Sequence, residues 1–333
     1  MAKAGIDLER AFLWTTLVAG ALTLVVVVLG AYVRLSDAGL GCPDWPGCYG
    51  QLAPPAHIEG VEAAKAWKEM VHRYAASTLG LLILVLAAIA WRRRQEAGQP
   101  VRLPLLLVPL VLLQGALGMW TVTLLLKPLV VTLHLLGGMA ILSLLYLIAL
   151  RQSGWLAPKQ AAPRGLRRLG DVAAGLLILQ LALGAWVSSN YATVACPDLP
   201  TCQGAWWPEA DFGEAFVLWR GLGIDYEGGV LDHPARVAIH LVHRVGAVLV
   251  TLVLGLLVFG AWREGRRSGV REWRVAAALV FGALALQLLV AVLMVRYAFP
   301  LPLATAHNAG AALLLLALTT LKSSLHGRDR VRS

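Results

Sequence analysis

Charged residues are absent from eight stretches of the chain, 11–33, 74–91, 103–126, 128–150, 172–197, 245–262, 275–295 and 297–321, each of 18 residues or more. A bilayer core takes about 20 residues of helix to cross, so the pattern predicts eight transmembrane helices. A porin-like barrel is excluded, because its strands would alternate in polarity. The first stretch follows Lys3 and Arg10, and its 23 residues exceed the core of a secretory signal. It reads as a permanent span.

Composition narrows the class further. With 58% hydrophobic and 14% charged residues among 333, and a mean hydropathy of +0.69, the chain is neither disordered, nor a disulfide-dense secreted domain, nor a soluble dinucleotide-binding enzyme. A net charge of +10 raises the question of nucleic acid, and its distribution answers it. Eight spans put both termini on one side, and the segments on that side hold 20 of the 29 Lys and Arg, among them Arg92, Arg93 and Arg94. The positive-inside rule makes that side cytoplasmic and reads its cations as topology signals and contacts for anionic membrane lipid, with no nucleic-acid partner. Two long loops, about 34–68 and 190–237, then lie outside the cytoplasm. With no Arg- and Ser-rich presequence ahead of the first span, a bacterial plasma membrane is expected.

All four cysteines fall in those outer loops. Cys42 and Cys48 are six apart, as are Cys196 and Cys202, which in an oxidising compartment favours two local disulfides. A zinc site is the alternative, and it requires the two pairs to meet with free thiolates. Structural staples and labile redox bonds are both open at this point.

The chain also repeats itself. Leu29–Val33 through Cys42–Gly50 aligns with Leu183–Val187 through Cys196–Gly204 at a constant offset of 154. His72-Arg73 falls on His243-Arg244 at an offset of 171, and Gln114, Thr132 and His134 fall on Gln287, Thr305 and His307 at 173. The predicted fold is an all-α membrane protein of two duplicated four-helix bundles, with an N-terminal half 1–150, a cytoplasmic linker 151–170 and a C-terminal half 171–333. Each unit has an even number of spans, so the halves run parallel about a pseudo-two-fold axis along the membrane normal.

Histidine placement carries chemistry. His57 and His233 in the outer loops and His326 in the cytoplasmic tail read as solvated side chains. His72, His134, His240, His243 and His307 lie in or beside apolar helices, where an ionisable group is costly and marks a functional candidate. All five sit on even-numbered spans, within the first turn or two of the outer end. One histidine from the second helix and one from the fourth can face each other in each half, which suits both axial positions of a haem iron. Arg73 and Arg244, each next to its histidine at the membrane boundary, are placed to fork onto a haem propionate. Helix-to-helix hydrogen bonding explains a lone histidine better than it explains four at duplicated positions.

The segment Val33-Arg-Leu-Ser-Asp-Ala-Gly-Leu-Gly-Cys42-Pro-Asp-Trp-Pro-Gly-Cys48, the Glu69-x-x-His72-Arg73 motif, the isolated His134 and His307 and the His243-Arg244 pair together resemble the haem A synthases, over essentially the whole chain. Two features depart from the family pattern: some members lack the Cys196 and Cys202 pair, and His240 stands where the first half has Glu69. The resemblance implies oxidation of a ring methyl of haem O to a formyl group, making haem A for terminal oxidases, in an enzyme that also carries haem b. It implies a farnesyl-transferring haem O synthase as the source of substrate, a quinone or other electron-transfer partner, and terminal oxidase assembly downstream.

Glu69 and His72 share a helical face, so the substrate haem O is assigned to His72, His134 and Arg73 with Glu69 as the catalytic group, and haem b to His243, His307 and Arg244. Two imidazoles on one iron leave no open position, so water is the expected oxygen source. A duller account makes Glu69 only an i,i+4 salt-bridge partner of Arg73. A quinol-linked di-haem b-type electron carrier, or a transporter built on parallel repeats, are the competing classes. The carrier explains the histidine pairs, but needs neither Glu69 nor the Cys-Pro-Asp-Trp-Pro-x-Cys loop. Trp45, Trp206, Trp207 and Trp219 are expected in an interfacial belt.

Overall fold

The computed structural model describes residues 2–327, with side chains from Leu8 onward. Its helices are α1 (Ala2–Leu35), α2 (Gly60–Arg92), α3 (Arg102–Thr123), α4 (Pro128–Ser153), α5 (Arg164–Ser189), α6 (Phe212–Ala215), α7 (His233–Arg267), α8 (Arg271–Arg296) and α9 (Leu301–His326). Eight of these are long and apolar enough to cross a membrane, and α6 is a single turn in the second long loop. Among the described residues no strand forms, and each cysteine loop holds one isolated bridge, Cys48 with Gln51 and Cys202 with Ala205.

Two helices overrun their apolar cores. At 1.5 Å per residue α2 and α7 reach about 50 Å, against a hydrocarbon layer of about 30 Å. Their outer turns continue through polar residues such as Glu62, Lys65 and Lys68, because a helix keeps its own backbone bonds in water as well as in lipid. The outer loops are therefore 36–59 and 190–232, shorter than the charge pattern implied. His72 and His243 consequently sit about three turns inside their helices, deeper than expected, while His134 and His307 lie about two turns in. His233 opens α7 with its ring against the Gln203 amide, and His326 closes α9 with Nδ1 2.8 Å from the Lys322 carbonyl, so neither is a free loop side chain. Of the cations expected on the cytoplasmic side, Arg93 pairs with Glu96 at 2.7 Å and Lys322 with Asp171 at 3.0 Å. Arg328, Arg330, Arg332 and the Lys3 side chain lie outside the described residues.

The packing scheme is the same in both sets of four spans: α1 rests on α2 and α4, and α5 rests on α7 and α9. Between the sets, α1 meets α9 and α4 meets α5. Phe12, Ile83, Leu86, Leu107 and Ile148 fill one core, Leu254, Leu257, Trp273 and Leu321 the other, and Met139, Leu142, Leu181 and Ala312 join them. Leu81, Leu252, Leu256 and Phe281 on the outer faces are 60–63% exposed. A band of that kind needs acyl chains to cover it.

Turn geometry repeats as well. Leu125 and Leu126 after α3, and Ala298 and Phe299 after α8, all take positive φ between 51° and 60°. A left-handed residue other than glycine costs roughly 1–2 kcal/mol, and here the same two-residue turn is used at both equivalent corners. Arg34 donates to the Ser188 carbonyl at 2.7 Å and stacks 4.0 Å over the Tyr191 ring, so the outer ends of α1 and α5 meet directly.

Candidate functional site

Each outer loop is drawn tight by its own residues. Cys42 is bonded to Cys48 and Cys196 to Cys202, which leaves no free thiolate for zinc. Asp44 accepts from the Tyr49 and Gly50 N–H groups at 2.6 and 2.8 Å, and Asp198 accepts from those of Gln203 and Gly204 at 2.6 and 2.9 Å. The Thr201 hydroxyl also donates to Asp198, and with the Gly204 N–H it holds that carboxyl below the usual carboxylate range.

The two arginines carry the loops onto the helices. Arg73 donates from Nη1 to the carbonyls of Asp44 at 3.0 Å and Gly47 at 2.6 Å, and from Nη2 to Glu69. Arg244 donates to the Thr201 carbonyl at 2.7 Å and the Cys196 carbonyl at 2.9 Å. Both guanidinium groups thus hold the cysteine loops, a role the sequence reading had not assigned to them. Glu69, 4% exposed, accepts the Cys42 N–H at 2.9 Å on Oε2 and Arg73 on Oε1. The ion pair exists, and the carboxylate is also tied to the disulfide loop. At the equivalent position, His240 places Nδ1 3.0 Å from the Ala192 carbonyl.

Beneath the first loop, the rings of His72 and His134 face each other with centroids 6.5 Å apart and planes at 86°. Glycine makes the room. A Cβ at Gly30 would lie 2.9 Å from Cε1 of His72, and one at Gly184 would lie 3.2 Å from Cε1 of His243. Nδ1 of His72 and of His134 are buried without a partner, though the Val26 and Gln114 carbonyls approach the two rings. In the other bundle the Gln180 amide nitrogen lies 3.0 Å from Nδ1 of His243, and that of Gln287 lies 3.3 Å from both ring nitrogens of His307.

Buried polar atoms in folded proteins are nearly all satisfied. Here Thr132 Oγ1 and Gln114 Nε2 near the first pair, and Thr305 Oγ1, Asn308 Oδ1 and Gln287 Oε1 near the second, have no partner within the chain. Among the described residues no three His, Cys, Asp or Glu side chains gather as a metal cluster. Two opposed imidazoles in an apolar slot, with unpartnered polar atoms around them, fit an iron macrocycle better than a compact ion site.

A model of the COX15-CtaA family, described as a cytochrome oxidase assembly protein, matches residues 13–319. The chain belongs to this family. It is 42% identical over 321 residues to the haem A synthase of Shewanella oneidensis, covering 92% of this chain and 94% of the relative. It is 29% identical over 346 residues to the haem A synthase of Maricaulis maris, covering 93% and 94%, and 27% identical over 254 residues to that of Shouchella clausii, covering 74% and 75%.

Two residues of this family member were passed over in the sequence. Lys127, 2% exposed, donates to the carbonyls of Arg220 at 2.5 Å and Gly221 at 2.6 Å, with its ammonium 3.6 Å from the centre of the Trp219 ring. The Tyr226 N–H reaches the Leu125 carbonyl at 3.1 Å, and Lys65 lies 3.7 Å from Glu227. Residues 216–229 of the second outer loop therefore lie across the α3–α4 corner of the first bundle, with Trp219 over the Lys127 ammonium. Lys127 is the one charge in the short α3–α4 turn, and that was the available signal. Gln180 is the other omission. An amide within an apolar helix, aligned with Val26 in the repeat, could have singled it out.

Proposed function

We propose that the chain is a haem A synthase that oxidises a ring methyl of haem O to a formyl group, with water as oxygen source. The observation that carries the proposal is the facing His72–His134 pair one helical turn from the buried Glu69. The net change on the substrate is CH3 plus H2O to CHO, with four protons and four electrons released. Two successive additions of water to the oxidised methyl give a diol, which collapses to the aldehyde.

His72 and His134 bind the substrate by its iron, which keeps ordinary oxygen activation away from the metal. Glu69 takes a proton from the adding water. It accepts from the Cys42 N–H and from Arg73, with the Gly41 N–H also close. Arg73 steadies the carboxylate charge and seats the cysteine loop above it. A propionate contact by Arg73 or Arg244 has to share the donors that already serve the loop carbonyls. His243 and His307 hold the resident haem b, which supplies one-electron transfer when bound. A quinone or protein partner accepts the electrons, and a haem O synthase supplies the substrate. The repeated turns and loops support two halves, 1–150 and 171–333, joined by the linker 151–170. Termini and linker are cytoplasmic and the cysteine loops extracytoplasmic in a bacterial plasma membrane, as the bias of 20 among 29 cations supports.

The test is production in a host without its own haem A, with haem O supplied, followed by chromatography of the extracted pigments. Haem A beside haem b is the expected result. Recovery of haem b alone, with haem O unconverted, overturns the reading and leaves an electron carrier. In labelled water the formyl oxygen carries label once exchange is controlled.

A further inference from the structure

The two histidine pairs differ in what grips them from behind. Gln180 on α5 points its amide at Nδ1 of His243, 3.0 Å away, and at the His243 carbonyl, 2.9 Å away. It fits because α7 carries glycine opposite: a Cβ on Gly246 would collide with Gln180 Oε1. Under the internal repeat, Gln180 corresponds to Val26 and Gly246 to Ala75. In the first bundle those two positions are apolar and belong to one hydrophobic cluster. Both members of the contact have therefore changed together within one chain, amide with glycine in one half and valine with alanine in the other. Gln287 and Gln114 fill equivalent notches at Gly310 and Gly137: Nε2 of Gln287 lies 3.3 Å from both nitrogens of His307, and at His134 it is the Gln114 backbone carbonyl that approaches the ring.

A histidine that ligates a metal through one nitrogen normally gives the proton on the other to a fixed acceptor, which sets the tautomer, locks the ring and makes the ligand more basic. Gln180 can be that acceptor: turning the amide by 180° gives up its bond to the His243 carbonyl and brings the unpartnered Oε1 to Nδ1 of His243, an exchange driven by the proton that Nδ1 carries when Nε2 of the imidazole is left for iron. Behind His72 the chain offers the Val26 backbone carbonyl and no side-chain amide.

We infer that the Gln180–Gly246 contact is the positioning device that makes the C-terminal pair a retaining haem site, and that its replacement by Val26–Ala75 leaves the N-terminal pair free to take up and release its haem. The inference rests on the assignment of haem b to His243 and His307 and of the substrate to His72 and His134. A synthase needs one macrocycle held through many turnovers and another that leaves after each.

The experiment exchanges the contacts in the purified holoprotein. Gln180→Val with Gly246→Ala copies the apolar contact at matched volume, and Val26→Gln with Ala75→Gly copies the amide contact. Haem transfer to excess apomyoglobin, the midpoint potential and the low-spin EPR signal of haem b are read for each. The first double variant is expected to release haem b at least tenfold faster, at a raised potential, and the second to slow release of haem from the N-terminal pair by a similar factor. Gln180→Glu, which keeps an acceptor and strengthens it, is expected to lower the potential and retain the haem. This serves also if the double variant does not accumulate. Wild-type release and potential in the exchanged protein, or an unmoved potential in Gln180→Glu, overturn the inference while loss of haem b from His243→Ala leaves the site assignment standing. Full haem b content in His243→Ala overturns the assignment and the inference together.

Discussion

Glu69 and His240 occupy equivalent positions and do the same mechanical job, each reaching from its helix to the backbone of the outer segment above it. Glu69 accepts from an N–H, and His240 bonds a carbonyl. The histidine meets that need with an imidazole, whereas the first bundle keeps a carboxylate and balances it with Arg73. Fastening a loop therefore does not account for the charge. The proposed role of proton acceptor beside His72 and His134 does, and the amide contacts behind His243 and His307 fit the retaining site proposed for the opposite bundle.

The largest effects should come from the four histidines. Alanine at His72 or His134 should abolish formyl production and leave one equivalent of haem b in the visible spectrum, whereas alanine at His243 or His307 should remove haem b. Identical spectral losses from both pairs would break the division of labour. Glu69→Gln comes next. It keeps an acceptor oxygen for one of Cys42 and Arg73, turns an amide N–H toward the other and removes the base, so haem content should hold while formyl production falls by about 10²-fold or more. An unchanged rate reduces Glu69 to a helix-end ion pair worth a few tenths of a kcal/mol.

Lys127→Met tests whether the second loop depends on the first bundle. Losing two charged hydrogen bonds should cost about 1.5–3 kcal/mol locally and expose residues 216–229 to protease. Cleavage at the wild-type rate would show that Leu125 and Glu227 hold the segment unaided. The smallest effect is that of Asp198→Asn. Because the folded carboxyl lies below its ordinary 3.8, it stabilises the second loop above that pH and loses its contribution as pH falls through the lowered value. The asparagine variant should flatten the acid limb of loop proteolysis, and an unaltered limb assigns the acid sensitivity to another group.

Much of the site was legible because membrane solvation is severe. Eight uncharged stretches could only be spans, and ionisable groups retained within them needed a reason. The repeat then matched His72 with His243 and His134 with His307, and their places on the second and fourth spans of each half let one of each face the other. Helix ends were less legible. Gly60 and His233 begin helices outside the apolar stretches, where the chain gives no hydropathy signal for a helix that stands in water. Arg73 and Arg244 were assigned to a ligand from their position at the boundary, yet their donors meet the carbonyls of loops that fold back 26 to 48 residues away in sequence.

Sequence by itself determined the class, the eight spans, the cysteine partners and the four duplicated histidines, since each follows from local chemistry or from the chain compared with itself. Only the tertiary structure decided that Glu69 bonds Cys42, that Lys127 anchors the other bundle's loop, and that Gln180 stands behind His243 in a notch cut by Gly246. Those contacts join side chains from separate helices, and whether a carboxylate, ammonium or amide finds its partner depends on distances of a few ångströms that hydropathy does not encode.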